Sequence, residues 1–115
     1  MRKAYRVKSE ADFGRVFHQG KSTANRQFVV YTIDKEQTHF RLGISVGKKI
    51  GNAVTRNYVK RRIRQSVYEL RDAIRPNQDF IVIARKPTAQ MSMAEIKKSL
   101  EHVFNLAGIF KSEAK

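Results

Sequence analysis

Apolar positions along the chain follow two rhythms, one of about 3.6 residues and one of two, and the switches between them mark out the elements. Ser9-Glu10-Ala11-Asp12 has the form of a helix start, with a serine hydroxyl and an acid three residues on as a capping pair. Phe13, Val16 and Phe17 follow at helical spacing, and Gly20 predicts the stop. Phe28 to Ile33 is rich in aromatic and β-branched residues. In the next run Phe40, Leu42, Ile44 and Val46 alternate with Arg41, Gly43 and Ser45, so both runs predict strands. Asp34 to His39 between them is polar and of a length that suits a hairpin connection. A long helix is entered through Gly51-Asn52, with Val59, Ile63, Val67, Leu70 and Ile74 on one apolar stripe and Pro76 ending it. Phe80 to Ala84 does not alternate and predicts a strand buried on both sides. After Pro87, Ser92-Met93-Ala94-Glu95 is a second capping box, and Ile96, Leu100, Val103 and Ala107 run down one face of a last helix. The order is helix, two or three strands, helix, strand, helix, which predicts an α+β sandwich with one mixed sheet. No linker, repeat or low-complexity stretch interrupts residues 1–115, which predict a single domain.

Charge changes the picture most. The 115 residues carry 24 lysines and arginines against 10 aspartates and glutamates, a net +14. Such an excess demands a polyanion, with nucleic acid ahead of an anionic membrane surface. Its distribution says more: no acid occurs between Glu36 and Glu69, a stretch holding Arg41, Lys48, Lys49, Arg56, Lys60, Arg61, Arg62 and Arg64. An acid-free block within a folded domain is the footprint of a phosphate-binding face, since a merely soluble surface would intersperse signs. On the long helix, Asn57, Lys60, Arg61 and Arg64 share an arc of about 100° beside the apolar stripe, with Arg62 on the opposite flank. The longest apolar run, Phe80 to Ala84, is far short of a membrane span, and Met1 to Val7 leads into no apolar core of a signal peptide. A soluble cytoplasmic protein is expected.

Candidate catalytic groups are sparse. Without cysteine there is no disulfide, thiolate zinc site or cysteine nucleophile. His18, His39 and His102 fall in different elements, without metal-ligand spacing and without a carboxylate pair. Gly43, Gly47 and Gly51 match neither the Walker nor the dinucleotide pattern. The chain has the make-up of a binder.

The run Lys48-Lys49-Ile50-Gly51-Asn52-Ala53-Val54-Thr55-Arg56-Asn57-Tyr58-Val59-Lys60-Arg61-Arg62-Ile63-Arg64-Gln65 resembles the signature of the bacterial ribonuclease P protein subunit. Ala24-Asn25-Arg26-Gln27-Phe28-Val29, Phe40 to Val46 and Ile81 to Pro87 are also similar to that family, in its order and at its size. Gly47 and Tyr58 depart from it, standing where a serine and a charged residue are common. The resemblance implies a protein that binds a large catalytic RNA, the two together removing the 5′ leader of precursor tRNA. Catalysis and most of the Mg²⁺ then belong to the RNA and its substrate, with no catalytic or metal-binding residue in the protein. It also implies the order α-β-β-β-α-β-α, a two-layer sandwich with about four strands and a left-handed βαβ crossover, where the general rule favours a right-handed one.

Two RNA surfaces are implied. Lys48, Lys49, Asn52, Arg56, Asn57, Lys60, Arg61 and Arg64 would face the catalytic RNA, arginine as a planar fork and lysine as a point charge. Arg56 or Asn57 could instead hold the junction between loop and helix by local hydrogen bonds. Phe13, Phe17 and Tyr31, with Arg26, would line a cleft for the single-stranded leader, where aromatic faces stack on any base. Pattern alone favours a core role for Phe13 and Phe17. A structural RNA binder of ribosomal type shares the charge and size and lacks only the motif. A self-contained metal-dependent nuclease lacks its carboxylate cluster, and a membrane-surface protein lacks an amphipathic helix with exposed bulky apolar residues.

Overall fold

A computed structural model describes residues 3–111. Its main elements are α1 (Glu10–Gln19), β1 (Lys21–Ala24), β2 (Phe28–Asp34), β3 (Arg41–Ser45), α2 (Ala53–Leu70), β4 (Gln78–Ala84) and α3 (Met93–Ala107). Short 3₁₀ turns occupy Lys3–Tyr5, Lys48–Ile50, Arg71–Ala73 and Lys86–Gln90. The strands form one mixed sheet in the order β1-β2-β4-β3, antiparallel except for the parallel pair β3 and β4. The expected α+β class and element order are therefore present.

The hairpin expected through Asp34–His39 is not. β2 pairs with β1 and β4, and β4 separates it from β3. The polar segment instead crosses the start of β4, where Lys35 N–H donates to the Asn77 carbonyl (2.9 Å) and Gln37 Nε2 to the Gln78 carbonyl (2.8 Å). The apolar run of β4 takes an inner position because Phe80, Ile81 and Val82 have no accessible surface and need cover on both faces.

One face of the sheet carries the main core. Phe28, Val30, Leu42, Phe80 and Val82 meet Val59, Ile63 and Val67 of α2 and Ile96, Leu100, Val103 and Phe104 of α3. The Ser92 capping box forms in full, its hydroxyl accepting from Glu95 N–H and Glu95 accepting from Ser92 N–H. At α1 only half of the expected pair forms: Ser9 Oγ accepts from Asp12 N–H (3.0 Å), while the Asp12 carboxylate turns to Arg15 and Arg41. The long helix stops at Leu70, earlier than Pro76 predicts. A 3₁₀ turn follows, and Ile74 is buried in extended backbone bridged to Phe110.

The opposite sheet face holds Ser22, Val29, Tyr31, Arg41, Gly43, Ser45, Asp79, Ile81 and Ile83, and α1 lies across part of it. Two glycines permit the close approach. A Cβ on Gly43 would stand 2.9 Å from the Phe13 ring, and one on Gly20 would stand 2.6 Å from the Thr32 carbonyl oxygen.

Candidate nucleic-acid interface

The acid-free block separates into residues that face solvent and residues that do not. Arg41 Nε and Nη2 form a fork onto Asp79 (3.0 and 2.6 Å), and Nη1 reaches Asp12 at 3.4 Å. Arg62 donates to the Met91 carbonyl (3.0 Å). These two cations serve the fold. Burial pushes the Asp79 carboxyl up, but hydrogen bonds from Arg41 and Gln37 outweigh it and hold the group below the usual carboxylate range.

On α2 the outer face presents Asn57 and Arg61 in the open, with Arg56, Lys60 and Arg64 half-buried along the flank. Asn52 is committed to the helix start: its Oδ1 accepts from Thr55 N–H at 2.9 Å, and its carbonyl accepts from Arg56 N–H. The junction role considered for Arg56 or Asn57 thus belongs to Asn52. Arg56 Nε is buried without a hydrogen-bond partner.

Lys60 and Arg64 join Arg6 around a notch of about 140 Å³ whose remaining walls are Val7, Phe13, Leu42 and Ile44. Burial, and then the charge of Arg6, push the Arg64 guanidinium below its ordinary value. Arginine still remains charged near neutrality, so this is a cationic recess with no carboxylate in its wall. Sequence reasoning missed Arg6, which lies outside the acid-free block.

The aromatic surface begins at that notch. Phe13 and Phe17 rings are 6.3 Å apart, and Phe17 meets Tyr31 edge-on at 5.1 Å. Val16, only 1% exposed, is the α1 residue that serves the core, whereas Phe17 is 38% exposed and Phe13 and Tyr31 are half-buried. Beyond the row, half-buried Val29, Ile83 and Ser45 continue the sheet floor toward one end of the sheet.

At that end the turns after β3 and β4 and the turn before β2 gather Lys48, Lys49, Arg85, Lys86 and Arg26, all exposed. Arg26 is therefore not beside the aromatic row. It lies in the turn before β2, beyond Phe28, and the strand from Phe28 to Tyr31 alone spans roughly 10 Å at about 3.4 Å per residue. Asn25 builds its turn: Oδ1 accepts from Gln27 and Phe28 N–H (3.0 and 2.8 Å), and Nδ2 donates to the Ser99 carbonyl on α3 (3.0 Å). Arg85 and Lys86 carried a signal in the Arg-Lys-Pro run that closes β4, and Asn25 carried none for its link 74 residues away.

The histidines do not converge. His18 and His102 are exposed, and His39 stacks on Tyr5 at 4.2 Å. Among the described residues, no group of three or more histidines, aspartates and glutamates is placed to hold a metal ion. No helix among them is long and apolar enough to cross a membrane.

Comparison with known proteins identifies the family and the fold. A family model described as Ribonuclease P matches residues 1–108. The chain is 64% identical over 110 residues to the ribonuclease P protein component of Ligilactobacillus salivarius, covering 95% of this chain and 97% of that one. It is 53% identical to the Staphylococcus aureus RNase P protein structure, with a TM-score of 0.88, covering 95% of this chain and 100% of that one. The Thermotoga maritima RNase P protein is 31% identical, with a TM-score of 0.78 and coverage of 89% and 94%.

Proposed function

The chain belongs to the ribonuclease P protein family, whose members are the protein component of the tRNA 5′-processing endoribonuclease and partner its RNA, and from that premise we propose that its two surfaces divide the RNA between them. The α2 face, with Lys48 and Lys49, grips the catalytic RNA. The aromatic row of Phe13, Phe17 and Tyr31 holds the single-stranded 5′ leader of precursor tRNA. The observation that carries this reading is the adjacency of the two surfaces: Phe13 belongs both to the aromatic row and to the wall of the notch lined by Lys60 and Arg64.

The chemistry of each side chain suits its task. Guanidinium forks and ammonium groups bind phosphates whatever the sequence, and Asn57 can donate to and accept from a ribose hydroxyl. Exposed aromatic faces stack on any base, contributing roughly 1–3 kcal/mol each, which suits leaders of many sequences. Arg26, at the far end of the floor, meets a leader phosphate beyond the stacked bases. Asn52 contributes by setting the first turn of α2. Mg²⁺ supplies charge neutralisation and activation of water at the scissile phosphate, and is held by the RNA and the substrate. The protein's part is to fix the leader and the catalytic RNA relative to each other, and it acts in the cytoplasm.

The test is incubation of precursor tRNA and Mg²⁺ with protein alone, catalytic RNA alone, and both. Cleavage is expected from the pair beyond that of RNA alone at low Mg²⁺, and little from the protein. Specific cleavage by pure protein would establish a nuclease instead. No effect of the protein on the RNA's cleavage would favour a structural RNA binder.

A further inference from the structure

The outermost arc of α2 carries side chains that the phosphate-gripping account leaves unused. Tyr58 is 51% exposed and Tyr68 is 44% exposed, with Arg61 and Gln65 between them. At about 100° and about 1.5 Å per residue, the four positions fall within an arc of about 80° over about 15 Å. Apolar side chains exposed singly are ordinary, but two tyrosines on one arc of a cationic helix invite a common reason.

Their surroundings supply one. The Arg62 guanidinium lies 5.5 Å from the Tyr58 ring centroid, and Arg71 lies 4.0 Å from that of Tyr68. Both arginines are themselves anchored, Arg62 on the Met91 carbonyl (3.0 Å) and Arg71 on the Tyr68 carbonyl (2.7 Å). Each ring thus has a cation over it and about half of its residue's surface open to solvent. Beside Tyr68 runs a shallow depression of about 550 Å³ walled by Arg61, Arg62, Arg64, Gln65 and Met93.

We propose that Tyr58 and Tyr68 are base-stacking platforms that recognise unpaired nucleotides of the catalytic RNA, with Arg61 binding the phosphate between them. The inference rests on the assignment of the α2 face to that RNA and adds the kind of RNA it selects. Charge complementarity names the occupant: three arginines, Arg61, Arg62 and Arg64, line the depression and no acid does. The rings then require bases free of a helical stack, because in a duplex the base faces are already covered.

The experiment measures binding of the full chain to the catalytic RNA over a salt series at fixed Mg²⁺. It compares the wild type with Tyr58→Ala, Tyr68→Ala, Tyr58→Phe, Tyr68→Phe and Arg61→Ala. Each alanine variant is expected to bind about tenfold more weakly, with the slope of log affinity against log salt unchanged. The phenylalanine variants should stay near wild type, and Arg61→Ala should lower the slope by about one contact. A perfectly paired RNA duplex should bind the tyrosine-to-alanine variants as it binds wild type. Since both rings are about half exposed, unchanged thermal midpoints are expected and separate lost contact from lost fold. Alanine variants that bind the catalytic RNA like wild type, or phenylalanine variants as weak as alanine, would overturn the stacking inference alone. Failure of the wild type to bind the catalytic RNA would overturn the underlying assignment as well.

Discussion

Replacing Asp79 by asparagine tests how the cleft is built. Asp79 is 3% exposed and Arg41 20% exposed, and the fork between them is the shortest ion pair among the described residues. Removing one partner of a fully buried pair costs roughly 3–5 kcal/mol, and the partial exposure of Arg41 reduces this to about 2–3 kcal/mol. For a domain of this length that corresponds to a fall in thermal midpoint of about 10 °C at pH 7. The pH dependence has a definite sign. The Asp79 carboxyl is held below its usual range in the folded protein, so its stabilisation is present above an unfolded value of about 3.9 and is lost as pH falls through the folded value. Melting curves by circular dichroism from pH 7 to pH 2.5 should show the gap between wild type and Asp79→Asn at full size above about pH 5 and closing below about pH 4. Because Arg41 also holds Asp12 in the first turn of α1, the variant should lose leader affinity while keeping its affinity for the catalytic RNA. A variant as stable as wild type at pH 7, or a gap that persists unchanged to pH 2.5, would refute the reasoning.

Gly43→Ala places a Cβ 2.9 Å from the Phe13 ring, so a loss of about 1–3 kcal/mol in stability is expected, read by thermal melting, together with weaker leader binding. Arg64→Ala should lower the salt slope of catalytic-RNA binding by about one phosphate contact; an unchanged slope would remove it from the interface. The cationic recess formed by Arg6, Lys60 and Arg64 should take up anions, so sulfate or phosphate should raise the thermal midpoint beyond chloride of matched ionic strength.

What was legible in the sequence was what depends on local periodicity. Val59, Ile63 and Val67 declared the buried face of α2, Ser92 and Glu95 declared the start of α3, and the apolar run of β4 declared its burial. What depends on distant partners was not legible. Lys21–Ala24 is polar and pairs with β2 through its backbone, so side-chain pattern gave no strand there. The segment 34–39 has hairpin chemistry, yet β4 inserts between its flanking strands because an apolar strand outcompetes an alternating one for the inner place. Arg41 looked like part of the phosphate face until Asp79, 38 residues away, claimed it. For Phe13 and Phe17 the helical period marked an apolar face without telling which ring the sheet would cover; Val16 took the core, leaving Phe17 exposed. The family resemblance, carried chiefly by the run from Lys48 to Gln65, supplied the expectation of a cleft for those rings where periodicity supplied none.

The division of labour between the two surfaces is tested most directly by the affinity of the reconstituted complex for precursor tRNA relative to mature tRNA, measured with wild type and with Tyr31→Ala. Tyr31 contacts Phe17 edge-on and lies on the floor assigned to the leader, away from the α2 face assigned to the catalytic RNA. The predicted result is that Tyr31→Ala weakens precursor binding about tenfold while mature tRNA and the catalytic RNA bind as before. Equal losses for precursor and mature tRNA, or no loss for either, would contradict the assignment of the aromatic row to the leader.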